Sequence, residues 1–196
     1  MGVLEYNQIR EKKHIVLDGE PFEVIDSHVF RKQQRKPVNN VKLRHLISGR
    51  VTERSFGSSE KAEEADITKK SVKFLYIKPA AGNKPAEYWF SAENNPGDRF
   101  QLSAEMVAHA LPFMKPNSVV EGLVFNEDIV SISLPPKVDL KVTEAAPAVK
   151  GNTATGATKQ VVVETGHTIT TPLCINEGDI LRISTATGEY TERVTK

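Results

Sequence analysis

Val41-Lys42-Leu43-Arg44-His45-Leu46-Ile47 alternates apolar and polar side chains with a period of two. Successive side chains of an extended strand point to opposite faces. Val41, Leu43 and His45 are therefore predicted on one face, and Lys42, Arg44 and Leu46 on the other. Pro37 and Ser48-Gly49 bound this strand as turn signals. Upstream, Ile15-Val16-Leu17 runs into Asp18-Gly19, a tight-turn dipeptide. Phe22-Glu23-Val24-Ile25 and Val29-Phe30 follow, and residues 51–56 read as the next strand. The polar run Arg31-Lys32-Gln33-Gln34-Arg35-Lys36 then falls at the tip of a hairpin in a small twisted barrel of short strands.

The rest of the chain is also β-rich. Residues 71–77 and 87–91 read as paired strands around a loop rich in Pro and Gly, residues 78–85. One helix is predicted over 104–111, with Ser103 as N-cap and Pro112 as terminator. Strands are expected at 118–125 and 129–134, around a turn at Asn126-Glu127-Asp128. Pro135-Pro136 is a stiff break. Beyond it, strands at 138–142, 160–163, 168–171, 179–184 and 189–194 are punctuated by Gly166, Gly178 and Gly188, with a Gly/Thr/Ala-rich loop at 145–158. Strands of this length and spacing suggest barrels. Three modules are expected, at 1–67, 68–134 and 135–196, with no repeat at a solenoid period.

The net charge of +1 hides an asymmetry. From Phe30 to Phe56 eight basic residues face a single acid, Glu53, so the segment carries +7. A local basic patch on a near-neutral chain points to a polyanion at one place. A solvated strand face is the plainer alternative. No window approaches the ~18 consecutive apolar residues of a membrane span, and residues 1–13 have no apolar run of the kind a secretory signal needs. The single cysteine, Cys174, excludes an intrachain disulfide and fits a reducing compartment. Its apolar neighbours suggest a buried small hydrophobe.

A search for reaction chemistry finds little. The five histidines lack zinc-motif spacing, and residues 151–159 lack the ending of a phosphate loop. Glu63, Glu64 and Asp66 read as a solvated acidic turn. No catalytic residue, metal or cofactor is expected. A general RNA-binding barrel protein or RNA chaperone remains an alternative; it would need aromatic side chains on a basic face. An enzyme with residues gathered from distant positions is a third reading.

The motifs become specific when taken together. Asp18-Gly19-Glu20-Pro21-Phe22, the hairpin, Val41-Lys42-Leu43-Arg44 and Ser48-Gly49-Arg50-Val51-Thr52-Glu53-Arg54-Ser55-Phe56 resemble the first domain of the bacterial elongation factor P family. Ile132-Ser133-Leu134-Pro135-Pro136-Lys137-Val138 is similar to the family's join between second and third domains. Pro172-Leu173-Cys174-Ile175-Asn176-Glu177-Gly178-Asp179 and Thr187-Gly188-Glu189-Tyr190-Thr191-Glu192-Arg193-Val194 resemble its C-terminal signature. The resemblance covers the whole chain in order and is weakest in the middle.

It implies an all-β protein with an SH3-like first barrel and two OB-fold barrels. It further implies a non-enzymatic, cytoplasmic, monomeric translation factor that works without a cofactor. Its partners would be the ribosome, ribosomal RNA and peptidyl transfer RNA, and it would help difficult peptide bonds such as those of consecutive prolines. Arg31, Lys32, Gln33, Gln34, Arg35, Lys36, Lys42 and Arg44 would face RNA. Tyr190 and Arg193 would contact the small subunit. The tip departs from the family. Many members carry a modified Lys or Arg within a Pro-Gly-Lys/Arg-Gly loop, whereas here an ungapped alignment puts Gln34 at that position and no glycine is present. An unmodified, multiply charged tip is expected, with Lys32 and Arg35 as the alternative acceptors of a modification.

Overall fold

The computed structural model describes residues 2–31, 33, 35–146 and 157–194. Three antiparallel sheets follow one another along the chain. The first is built from β1 (Val3–Glu5), β2 (His14–Leu17), β3 (Glu20–Phe30), β4 (Val38–His45), β5 (Val51–Gly57) and β6 (Lys61–Glu64), in the order β1-β6-β2-β3-β4-β5. Asp18 and Gly19, at φ 53° and 80°, form the two-residue turn that sets Leu17 opposite Glu20. Left-handed conformation at both central residues matches the twist of the flanking strands, which is why Asp-Gly is favoured there. β3 and β4 pair from Phe22↔His45 to Phe30↔Val38, so the hairpin tip lies between Phe30 and Val38.

The alternation in β4 is borne out for Val41, Leu43 and His45, all buried, and for exposed Lys42 and Arg44. Leu46 departs from it. It leaves the strand at the turn and packs with Ala65, Phe125 and Val130, joining the first sheet to the second. Asn39, on the inward face of β4, is fully buried. Its amide donates to the carbonyls of Tyr6 (2.6 Å) and Ile9 (2.9 Å), fixing the loop between β1 and β2.

The second sheet comprises β7 (Thr68–Lys78), β8 (Glu87–Ala92), β9 (Asn95–Leu102), β10 (Val119–Phe125) and β11 (Asp128–Ser133), ordered β11-β10-β7-β8-β9. The third comprises β12 (Lys137–Ala145), β13 (Thr158–Val163), β14 (Thr168–Pro172), β15 (Ile180–Ser184) and β16 (Tyr190–Val194), ordered β14-β13-β12-β15-β16. In both, the first strand is flanked by the second and third on one side and by the fourth and fifth on the other. That is the strand order of the expected OB-fold modules. Each has its own apolar core, around Phe74 and Phe90 in one and around Leu140 and Leu181 in the other.

Four expectations are corrected. The helix is one turn, α1 (Ala104–Val107), followed by a 3-10 turn at Leu111–Phe113. Beyond Ala108 the bonds tighten to Ala110 N–H to Val107 O and Phe113 N–H to Ala110 O. Pro112 sits inside this tighter turn, where its missing N–H costs nothing, and Ser103 makes no side-chain cap bond. The acidic turn is instead strand β6, zipped between β1 and β2, with Lys13–Glu64 and Lys61–Glu5 ion pairs at 2.8 Å. Cys174 is exposed, in a turn just after β14 where Ile175 takes the buried place. Strands β1 and β9 belong to no predicted element. Most of the loop at 145–158 lies outside the described residues.

Candidate nucleic-acid interface

The hairpin carries the cationic segment. Arg31, Gln33, Arg35 and Lys36 are all exposed at its tip, and Arg31 Nε donates to the Arg35 carbonyl at 3.2 Å, bridging the loop. Lys32 and Gln34 lie outside the described residues. Among the described residues, no carboxylate lies within 4.0 Å of Arg31, Arg35 or Lys36.

Farther down the arm the positive charge is answered from neighbouring strands. Lys42 lies inside β4, below the tip that carries Lys36. In register it sits between Asp26 of β3 and Glu53 of β5. Arg44 is ion-paired with Glu23. Arg54 approaches Glu60 at 4.0 Å and lies over the Phe56 ring at 4.7 Å. Arg44 and Arg54 are therefore answered by ion pairs and Lys42 only by register, whereas Arg31, Arg35 and Lys36 at the tip have no such carboxylate among the described residues. His14 faces Glu23 in register. Burial lowers its pKa from the ordinary value; Glu23 raises it in part and Arg44 lowers it further.

Tyr190 and Arg193 stand apart on β16. A period of two would place them on opposite faces. The pairing slips by one residue between Arg182↔Glu192 and Ile183↔Tyr190, leaving Thr191 unpaired. Tyr190 consequently shares the side of Ile183, and Arg193 that of Leu181, so the two point the same way. Tyr190 is half-buried against the third core, and Arg193 is exposed, 3.7 Å from Asp179. On the opposite face of β15 and β16 is a group the sequence reading did not single out. Arg182 binds both oxygens of Asp139 (2.8 and 3.0 Å) and Glu192 (2.8 Å). The hydrogen bond from Arg182 holds the Asp139 carboxyl below its usual range. The signal lay in alternation across β12, β15 and β16, which is readable only once the pairing is known. No cluster of His, Cys, Asp or Glu suited to a metal occurs among the described residues.

Three antiparallel modules in series, the first bearing a cation-tipped hairpin, define a modular β-barrel protein built to present surfaces. Comparison with known proteins narrows this. Residues 5–62 match the model of the elongation factor P (EF-P) KOW-like domain, and residues 138–193 that of the elongation factor P C-terminal domain. Elongation factor P of Acetivibrio thermocellus is 35% identical over 178 residues, covering 91% of this chain and 92% of that protein. Elongation factor P of Bdellovibrio bacteriovorus is 34% identical over 192 residues, covering 98% of each. Among solved structures, eukaryotic translation initiation factor 5A from Methanococcus jannaschii aligns at a TM-score of 0.46 and 13% identity. That alignment covers 67% of this chain and 90% of that one, a likeness too loose to carry an argument. The chain belongs to the elongation factor P family and is a translation elongation factor.

Proposed function

We propose that this chain binds the ribosome beside the peptidyl transfer RNA and speeds peptide-bond formation at stalling sequences such as consecutive prolines. The observation that carries this reading is the exposed tip of the β3–β4 arm, where Arg31, Arg35 and Lys36 lack carboxylate partners among the described residues. Cations so placed neutralise phosphates and release counterions without reading sequence. Proline fixes φ and reacts poorly. A factor that restrains the transfer RNA end restores attack geometry by position alone. Each ~1.4 kcal/mol removed from the barrier is a tenfold gain in rate, so a few contacts suffice.

The tip works in this reading without an added group. Gln33 and Gln34 exchange hydrogen bonds with RNA, while Arg31, Lys32, Arg35 and Lys36 meet phosphates. Lys42 and Arg44 support the arm, and Tyr190 with Arg193 contacts the small subunit. The protein acts as a cytoplasmic monomer. The test is reconstituted translation of a reporter with consecutive prolines, using unmodified protein. Faster passage through the prolines is expected, and it is lost when Gln33 and Gln34 are changed to Ala. No acceleration by the unmodified protein, or an added mass on Lys32 or Arg35 in native protein, would overturn the unmodified-tip mechanism.

A further inference from the structure

The outer face of the second sheet carries an aromatic pair that its own core does not use. β7 pairs with β8 through Phe74↔Phe90, then slips by one residue to Tyr76↔Trp89, leaving Leu75 unpaired. Phe74 and Phe90 are buried. Without the bulge Tyr76 would follow Phe74 inward; with it, Tyr76 turns outward beside Trp89. A bulge that re-aims a side chain is a common device at functional surfaces. The two rings lie 6.4 Å apart at 29°, and Tyr76 is 44% exposed.

Trp89 is held in place. Its Nε1 donates to Glu87 Oε2 at 3.0 Å, and the same oxygen accepts from Gln101 Nε2 (3.2 Å) and Lys78 Nζ (3.3 Å). The ring is thus fixed before any ligand arrives, which lowers the ordering cost of binding. The surroundings are cationic. Lys73 and Arg99 flank Ser91 on the same face, two register positions from the aromatic pair. Lys78 closes the other end, and the hydrogen bonds from Trp89 and Lys78 hold the Glu87 carboxyl below its usual range. In register, Lys73 and Arg99 lie beyond one end of the pair and Lys78 beyond the other, and Glu87 already accepts from Trp89, Lys78 and Gln101. Trp89 and Gln101 occupy the second and third strands of the barrel, the face through which such barrels bind oligonucleotides.

We infer that the Tyr76–Trp89 face binds unpaired nucleotides of an RNA, with a base stacked on Tyr76 and the flanking phosphates met by Lys73 and Arg99. Sequence tolerance follows, because every base offers a π-face. This site lies on a different module from the hairpin tip and does not require the ribosomal reading above.

Trp89 is the only tryptophan of the chain, so it reports on its own site. The full-length protein is titrated at low salt with an octameric oligoadenylate and, separately, with duplex RNA of equal length. Saturable quenching of Trp89 by the single strand is expected, with little by the duplex. Tyr76→Ala should weaken binding about tenfold or more, while Tyr76→Phe keeps it. The double variant Arg31→Gln, Lys36→Gln should leave the quench intact. Binding of labelled oligonucleotide without quenching, equal quenching by duplex, or loss of the quench in the hairpin variant would each overturn the inference. The strand-versus-duplex comparison uses wild-type protein and stands even if Tyr76→Ala fails to fold.

Discussion

The hydroxyl of Thr165 donates to the carbonyl oxygen of Pro112 at 2.7 Å, bonding the third sheet to the 3-10 turn of the second module. Phe113, in that turn, belongs to the third core and meets His167 edge-on at 5.9 Å, and Lys115 lies 3.5 Å from Glu164. Changing Thr165 to Val removes the donor and strands a partly buried carbonyl. A loss of about 1 kcal/mol is expected in urea unfolding, with Thr165→Ser close to wild type. An unchanged midpoint in the Val variant would mean that water takes over the carbonyl.

Asn39 presents the sharper case, because its amide serves two buried carbonyls. Asn39→Leu should cost about 2 kcal/mol, because the two carbonyls lose their donor, and Asn39→Asp about 3 kcal/mol or more, because a buried carboxylate then also faces those two carbonyl oxygens. Equal stability of the two variants in denaturant unfolding would refute this ordering.

The turn between β10 and β11 places Asn126 at φ 50° and Glu127 at φ 71°. Both are left-handed, and the second position favours glycine. Glu127→Gly should stabilise the protein by about 0.5 kcal/mol net of glycine's extra unfolded-state freedom. A lower melting temperature for this variant would count against the strain assigned to Glu127.

His14 links stability to pH. Burial lowers its folded pKa below the ordinary 6.5, so on acidification the unfolded chain binds the proton first. Its contribution is complete above about 6.5 and is lost as pH falls through the folded value. Urea midpoints at pH 7.5 should exceed those at pH 5.5, and His14→Gln should narrow the gap. A gap untouched by that substitution would assign it to other groups.

Charge at the tip and charge along the arm should behave differently toward RNA. Neutralising Arg31 and Lys36 together should reduce the log–log salt slope of ribosome binding by about 2, one for each phosphate contact. Neutralising Lys42 and Arg44, which sit among Asp26, Glu53 and Glu23, should change it little. Equal slopes would argue against a phosphate-binding tip.

Where local chemistry decides a feature, the sequence displays it. Asp18-Gly19 dictates its turn, and Val41, Leu43 and His45 display a buried face. What escapes is set by partners distant in the chain. Lys61–Glu64 becomes a strand only because β1 and β2 receive it. Lys42 and Arg44 look unopposed until β3 supplies Asp26 and Glu23. Tyr190 and Arg193 come to one side through a bulge that no periodicity announces, and a second bulge turns Tyr76 outward. Cys174 misleads because Pro172, Leu173 and Ile175 suggest a strand where the chain turns.

The shared strand order of the second and third sheets bears on how the chain acquires its structure. Each barrel is centred on its first strand, β7 or β12, whose second neighbour, β10 or β15, is made about forty residues later. The first sheet likewise holds β1 until β6 arrives to pair with it. Such closures are non-local, and loop entropy must be overcome before they are rewarded. Folding should therefore proceed as three slow, separate closures in the order of synthesis, each leaving an open strand edge until its late strand docks.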